Sequence, residues 1–244
     1  MTQNILARPS LSQALLSFNI PNIDSLFPGF TIGDFAILHG LPTILPLSLL
    51  LCVRAQLPIQ LSGLETNVVF VDGGNTFRLY RVSYLAQLHQ LDPRQVLERI
   101  YISRAFTAHQ MTSIILDKLE ETVLKHQAKL VIISDFAGLY LDKDIPVEES
   151  REVFSQVVTY LSKFTREHDL IAVATCMPHV YPRRDVFFDA VACARSNVVV
   201  RVVRKSVRPS GQQFILEKHP ILKTGLVDFP SENSTLNDFS KGVD

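Results

Sequence analysis

From residue 35 onward, short β-rich apolar runs alternate with longer segments of helical periodicity, and no other feature constrains the fold of this chain as tightly. The apolar runs span residues 35–38, 68–72, 100–103, 130–134, 170–175 and 197–203, with residues 213–217 as the expected hairpin partner of the last. Most are near-continuous aliphatic stretches, the pattern of strands buried on both faces. Between them, residues 46–56, 79–89, 108–127 and 147–167 have the length and apolar spacing of helices. The last opens after Pro146 with Glu148 and Glu149, where carboxylates suit the positive end of a helix dipole. Strands alternating with helices predict an α/β fold with a mainly parallel central sheet flanked by helices.

A chain of 244 residues has room for one sizeable core. The expected division is an N-terminal lead-in over residues 1–19, a core domain over 20–229 and a polar, turn-rich tail over 230–244. The hydrophobic fraction of 47% and charged fraction of 20% are those of a globular protein and exclude wholesale disorder. Lys plus Arg equals Asp plus Glu at 24 each, so any polyanion site must come from local charge segregation. Cys52, Cys176 and Cys193 are odd in number and widely spaced, which fits neither a disulfide framework nor a zinc cluster. The N-terminus lacks the basic and continuous apolar regions of a signal peptide, and the most apolar run, residues 41–53, is about half of the roughly 20 residues a bilayer requires. A cytoplasmic protein with reduced thiols, no membrane segment and no cofactor is expected. The charge run over residues 142–152 reads as a solvated acidic loop entering a helix.

Residues 33–58 place strand, loop and helix in the order of a phosphate-binding loop, whose working form is G-x-x-x-x-G-K-[ST]. Starting that frame at Gly40 puts Leu45 at the second glycine, Pro46 at the lysine and Leu47 at the hydroxyl. Each change removes a different function: close backbone approach, charge with an N–H donor, and metal ligation. Ser48 could serve only if the helix register slipped by one residue. Taken alone, the loop reads more simply as a strand-to-helix turn with proline at its start.

The surrounding order of elements points elsewhere. The segments IPNIDSLFPGFTIGDFAILHG and VVFVDGGNTFRLYRVSYLAQLHQLDPRQVLERIYISRAF resemble the RadA-type members of the RecA/RadA recombinase superfamily, and the resemblance spans roughly residues 20–203. It implies a RecA-like P-loop NTPase fold. In that family the strand matching residues 68–72 runs into D-T-E-G-T-F, whose glutamate orients the attacking water; here Asp72 is followed by Gly73, Gly74, Asn75, Thr76 and Phe77, so Gly74 stands at the glutamate. Asp135 resembles the Walker B aspartate, with capping of the following turn as its other reading. IAVATCMPH resembles the strand ending in the family's T-N-Q tip, with Cys176 and Met177 at the Asn and Gln. The resemblance therefore implies a pseudo-ATPase with a degenerate P-loop, whose nucleotide-site remnants are Gly40, Asp72 and Asp135, with no catalytic residue and no metal.

Residues 177–213 carry seven basic residues, Arg183, Arg184, Arg195, Arg201, Arg204, Lys205 and Arg208, against Asp185 and Asp189. In the resembling family the loop after this strand contacts single-stranded DNA. Tyr181, Arg183, Arg184, Phe187, Arg204, Lys205 and Arg208 are therefore the candidate DNA-binding residues, through phosphate contacts and base stacking. The plainer alternative makes Arg201 and Arg204 guards of a sheet edge, and Phe187 and Phe188 core. The expectation is a catalytically silent accessory factor in DNA recombination or repair, partnered by single-stranded DNA and a RecA/RadA-family protein. The rival readings are a KaiC-like regulatory module that binds only proteins, and an ATPase with an atypical site built on Ser48 and Asp135. The family's Phe-x-x-Ala docking element is not apparent near the N-terminus, which puts filament formation in doubt.

Overall fold

The computed structural model describes residues 14–178, 182–206 and 211–229, without the side chains of 182–185 and 229. Along the chain run β1 (Leu15–Leu16), α1 (Pro21–Leu26), β2 (Phe30–Thr31), β3 (Phe35–Gly40), α2 (Ile44–Arg54), β4 (Asn67–Asp72), α3 (Leu79–Leu88), α4 (Pro93–Glu98) and β5 (Ile100–Arg104). There follow α5 (Ala108–Ser113), a π-helical turn over Ile114–Lys118, α6 (Leu119–His126), β6 (Ala128–Ser134), α7 (Val147–Glu167), β7 (Ile171–Cys176), α8 (Pro182–Arg195), β8 (Val198–Arg204), β9 (Gln212–Lys218) and β10 (Gly225–Phe229).

Among the described residues, eight strands form the central sheet in the order β10-β9-β8-β3-β7-β6-β4-β5. From β8 to β5 all neighbours are parallel, and β9 and β10 add an antiparallel edge. The alternation of short apolar runs with helices is therefore realised as an α/β sheet covered on both faces. Ala36, Leu38, Val68, Phe70, Leu130 and Ile132 face one core with α1 to α4. Phe35, Ile37, Val69, Val71, Val131 and Ile133 face the other with α5 to α8. Period-two alternation thus fills two cores at once, which is why the strands read as unbroken aliphatic runs.

The first core reaches back to Leu16 and Phe18, both buried. Phe18 meets Phe30 edge-on at 5.6 Å and Phe214 at 5.9 Å, while Phe27 meets Phe30 at 4.8 Å. Arg54, at the end of α2, is buried; its Nε donates to the Ser17 carbonyl and its Nη2 to the Leu61 carbonyl, each at 2.7 Å. These contacts dock the chain preceding β2 onto the sheet. The start of β3 is fixed by Asp34, which accepts from Thr31 N–H at 2.7 Å and from the Asn197 amide at 2.6 Å, while Asn197 Oδ1 accepts from Phe35 N–H at 2.7 Å.

Several elements were not anticipated from the sequence. α8 occupies part of the stretch expected as a loop, and α4 is a short helix with Asp92 as N-cap and Pro93 in its first turn. The expected helix over residues 108–127 is helical throughout but interrupted by the π turn, and α2 begins two residues earlier than expected. Pro46 is accordingly the third residue of α2, still among the first four N–H positions that have no intrahelical partner, so its missing donor goes unfelt.

Candidate functional site

The parallel strands all end at one edge, where an open α/β sheet places its ligand site. β3 delivers His39 and Gly40 to that edge. Gly40 has φ +106°, and a Cβ there would run into the carbonyl of Val202 on β8, whose oxygen also accepts the Leu41 N–H at 2.9 Å. The need for glycine at position 40 is thus met by backbone packing. Beyond the turn, Leu47 is 1% exposed in the first core, and Leu45 packs partly buried against the same cluster. The buried Ser48 hydroxyl donates back to the Leu45 carbonyl at 2.8 Å. His39 Nε2 lies 2.7 Å from Glu217 Oε2, and Arg201 lies 3.7 Å from the other oxygen of that carboxylate. This trio links β3, β8 and β9; sequence reasoning missed it because the partners are 178 residues apart.

Asp72 ends β4 with its carboxylate buried. Oδ1 accepts from Thr76 N–H at 2.8 Å and the Ser134 hydroxyl at 2.9 Å, and Oδ2 accepts from Phe77 N–H at 3.3 Å, with Arg104 Nε 3.5 Å away. The carboxylate thereby caps the 73–77 turn and ties β4 to β6. Asp135, just past β6, has φ +48°; its N–H donates to Thr175 Oγ1 at 2.9 Å, and its carbonyl accepts the Gly138 N–H at 3.2 Å. Its carboxylate fills the space beside two glycines. A Cβ on Gly74 would lie 2.8 Å from Asp135 Cβ and 3.0 Å from its Oδ2, and one on Gly138 would lie 2.8 Å from its Cγ. Asp72 and Asp135 are thus neighbours on adjacent strands, whereas Gly40 lies beyond β7, two strand spacings or about 10 Å from Asp135's strand.

Of the basic stretch, Arg183 and Arg184 fall in the first turn of α8, with side chains outside the described residues, as are Tyr181 and Arg208 altogether. Phe187 is half-buried against the second core, 5.5 Å from Phe188 and edge-on to it, with the Arg151 guanidinium 4.7 Å over its ring. Phe188 is core. Arg204 is exposed at the end of β8, two residues past the partner of Gly40, and Lys205 is paired with Asp228 at 2.6 Å. The three cysteines are unpaired. Burial raises all three thiols; Cys193 rises to about 12, helped by Asp189 and Glu217 nearby, so none is a ready nucleophile or metal ligand. Among the described residues no group of three or more His, Cys, Asp or Glu side chains could hold a metal ion, and no helix is long and apolar enough to cross a membrane.

A parallel sheet with this strand order, covered by helices and carrying its polar residues at the strand tips, defines a RecA-like α/β domain. The Rad51 family model matches residues 43–180, more than half of the chain, and the chain belongs to that family. It is 32% identical over 168 residues to the DNA repair and recombination protein RadA of Aeropyrum pernix, an alignment covering 68% of this chain and 49% of the relative. The chain thus spans about half the length of the curated relative it matches.

Proposed function

We propose that this Rad51-family chain is a catalytically silent accessory factor in DNA recombination or repair, acting through DNA and protein binding rather than ATP turnover. The observation that carries the reading is Leu47: the residue at the metal-binding hydroxyl position of the phosphate-loop frame is 1% exposed within the hydrophobic core. Pro46 beside it offers neither charge nor N–H. Position 74, where the family's glutamate would stand, has a Cβ site only 2.8 Å from Asp135, so the turn has closed over the space a water-orienting side chain needs. These residues do not fit a magnesium-nucleotide. Losing two charge-assisted phosphate contacts, each worth about 1.5–3 kcal/mol, weakens nucleotide affinity by about a hundredfold or more. The atypical-site reading is disfavoured by Ser48, whose buried hydroxyl is spent on the Leu45 carbonyl.

The DNA half of the proposal rests on Arg183, Arg184, Arg204 and the charge excess around them, with Tyr181 and Arg208 in the same stretch. One observation favours the protein-only regulatory reading: Lys205 is held by Asp228 and Phe187 is covered by Arg151, so two of the DNA candidates are already engaged within the protein. Fluorescence anisotropy with a labelled single-stranded oligonucleotide across a salt series separates the two. Binding that weakens with salt supports the DNA-contacting reading; no binding even at low salt supports the protein-only one.

A further inference from the structure

A second feature of the strand-tip edge lies away from the basic stretch, on β4, β5 and α3. Residues 73–91 and 99–116 contain no Asp or Glu at all, in a chain that is neutral overall. They contribute Arg78, Arg81 and Arg104 around the tips of β4 and β5, together with side chains that globular proteins normally bury. Tyr80 is 88% exposed, Phe106 69% and Leu79 51%, with Tyr84 one turn beyond Tyr80 on α3.

Asp72 draws these residues together. Its carboxylate binds Thr76 and Phe77 N–H, which sets the start of α3, and its carbonyl accepts Ala105 N–H at 3.1 Å, which sets Phe106. Arg78 Nη1 donates to the carbonyls of Asn75 at 2.7 Å and Phe77 at 3.2 Å, neutral partners that orient the guanidinium, and no carboxylate among the described residues compensates its charge. Arg81 Nε is buried with no hydrogen-bond partner among the described residues, and Arg104 stays about half exposed beside Asp72. Of the carboxylates at this edge, Asp72 caps the turn and pairs with Arg104, and Asp135 lies against Gly74 and Gly138.

We propose that this rim of Tyr80, Tyr84 and Phe106 with Arg78 and Arg104 is a contact surface for single-stranded nucleic acid, separate from the basic stretch around α8 and β8. Exposed ring faces suit unpaired bases, which stack on aromatics regardless of sequence, and the guanidiniums suit the phosphates between them. An apolar protein surface would cover the rings but leave Arg78 without counter-charge. The strand order puts β4 four spacings from β8, about 19 Å, so the two surfaces can be tested independently. This inference extends the DNA-binding half of the proposed function.

The test is anisotropy of a labelled oligo-dT with the full chain and single variants. Tyr80→Ala and Phe106→Ala are each expected to weaken binding about 5- to 100-fold without changing its salt slope, and Arg78→Gln to lower that slope by about 0.7. Because the chain has six tyrosines and no tryptophan, stacking on Tyr80 is also expected to quench tyrosine emission. Tyr80→Phe is expected to retain affinity and lose that part of the quench. Wild-type affinity in both alanine variants overturns the proposal; if Arg183→Ala with Arg184→Ala then abolishes binding, the proposed function stands without it. Loss in the rim variants alone keeps this surface and removes the basic stretch. If the rim variants alter only self-association in sedimentation, the surface is a protein interface and the proposal falls.

Discussion

Replacing Asp72 with alanine removes the acceptor that holds the tip of β4 together, and the cost can be worked from its partners. The Ser134 hydroxyl and the Phe77 N–H both donate to Asp72 from buried positions and lose their acceptor. A buried donor left unsatisfied costs about 1–3 kcal/mol, so the pair costs about 2–6 kcal/mol. Thr76 is half-exposed and can turn to water, and Arg104 is nearly half exposed, so its separation from the carboxylate adds little. For a domain of this size each kcal/mol moves the melting temperature by about 2–4 °C, and the central value of about 4 kcal/mol predicts a fall of about 8–16 °C. Asp72→Asn keeps one acceptor oxygen and is expected to cost less. Urea and thermal denaturation followed by circular dichroism measure both. An Asp72→Ala variant within about 1 kcal/mol of wild type would mean that the turn does not depend on this carboxylate.

The triple change Leu45→Gly, Pro46→Lys and Leu47→Thr is expected to leave ATP hydrolysis at background, since Gly74 still lacks a water-orienting group, and to destabilise the chain by about 2 kcal/mol or more through the loss of Leu47 from the core; phosphate release and denaturation check the two halves. Burial pushes the Asp24 carboxyl up to about 6 from 3.8, against the pull of Arg54. Folding therefore favours the protonated form, so this group's contribution to stability is full below about pH 4 and is lost as pH rises through 6. Asp24→Asn is expected to flatten that part of the stability–pH curve, which denaturation at several pH values will show. Arg183→Ala with Arg184→Ala is expected to lower the salt slope of oligonucleotide binding by about 1.4, two phosphate contacts at 0.7 each, whereas Tyr181→Ala weakens affinity with little change in slope.

The sheet was legible because its strands are buried on both faces: runs such as residues 130–134 carry enough aliphatic density to be read without a partner in view. What escaped were elements whose signal lies in tertiary contacts. Among the described residues β10 pairs only with β9, and it carries an exposed Leu226, so it lacks the unbroken apolar signature of the inner strands. Leu15–Leu16 is a two-residue strand held by β2 and by Arg54 reaching to Ser17, a link 37 residues long that no local pattern encodes. The chemistry of the strand tips was only partly readable. The frame from Gly40 named Leu45, Pro46 and Leu47, but the burial of Ser48 and the closure of Asp135 against Gly74 appear only in three dimensions. The aromatic rim left a trace in the acid-free run over residues 73–91, yet an exposed Tyr80 and a core tyrosine look alike in sequence.

Magnesium-dependent phosphate release from ATP, measured with and without single-stranded DNA for wild type and Asp135→Ala side by side, decides whether the strand-tip site turns over ATP. The same background rate is expected in all four assays, because Pro46, Leu47 and Gly74 supply no phosphate charge, no metal ligand and no water-orienting group. Turnover at an ordinary ATPase rate in the wild type, abolished by Asp135→Ala, would contradict it.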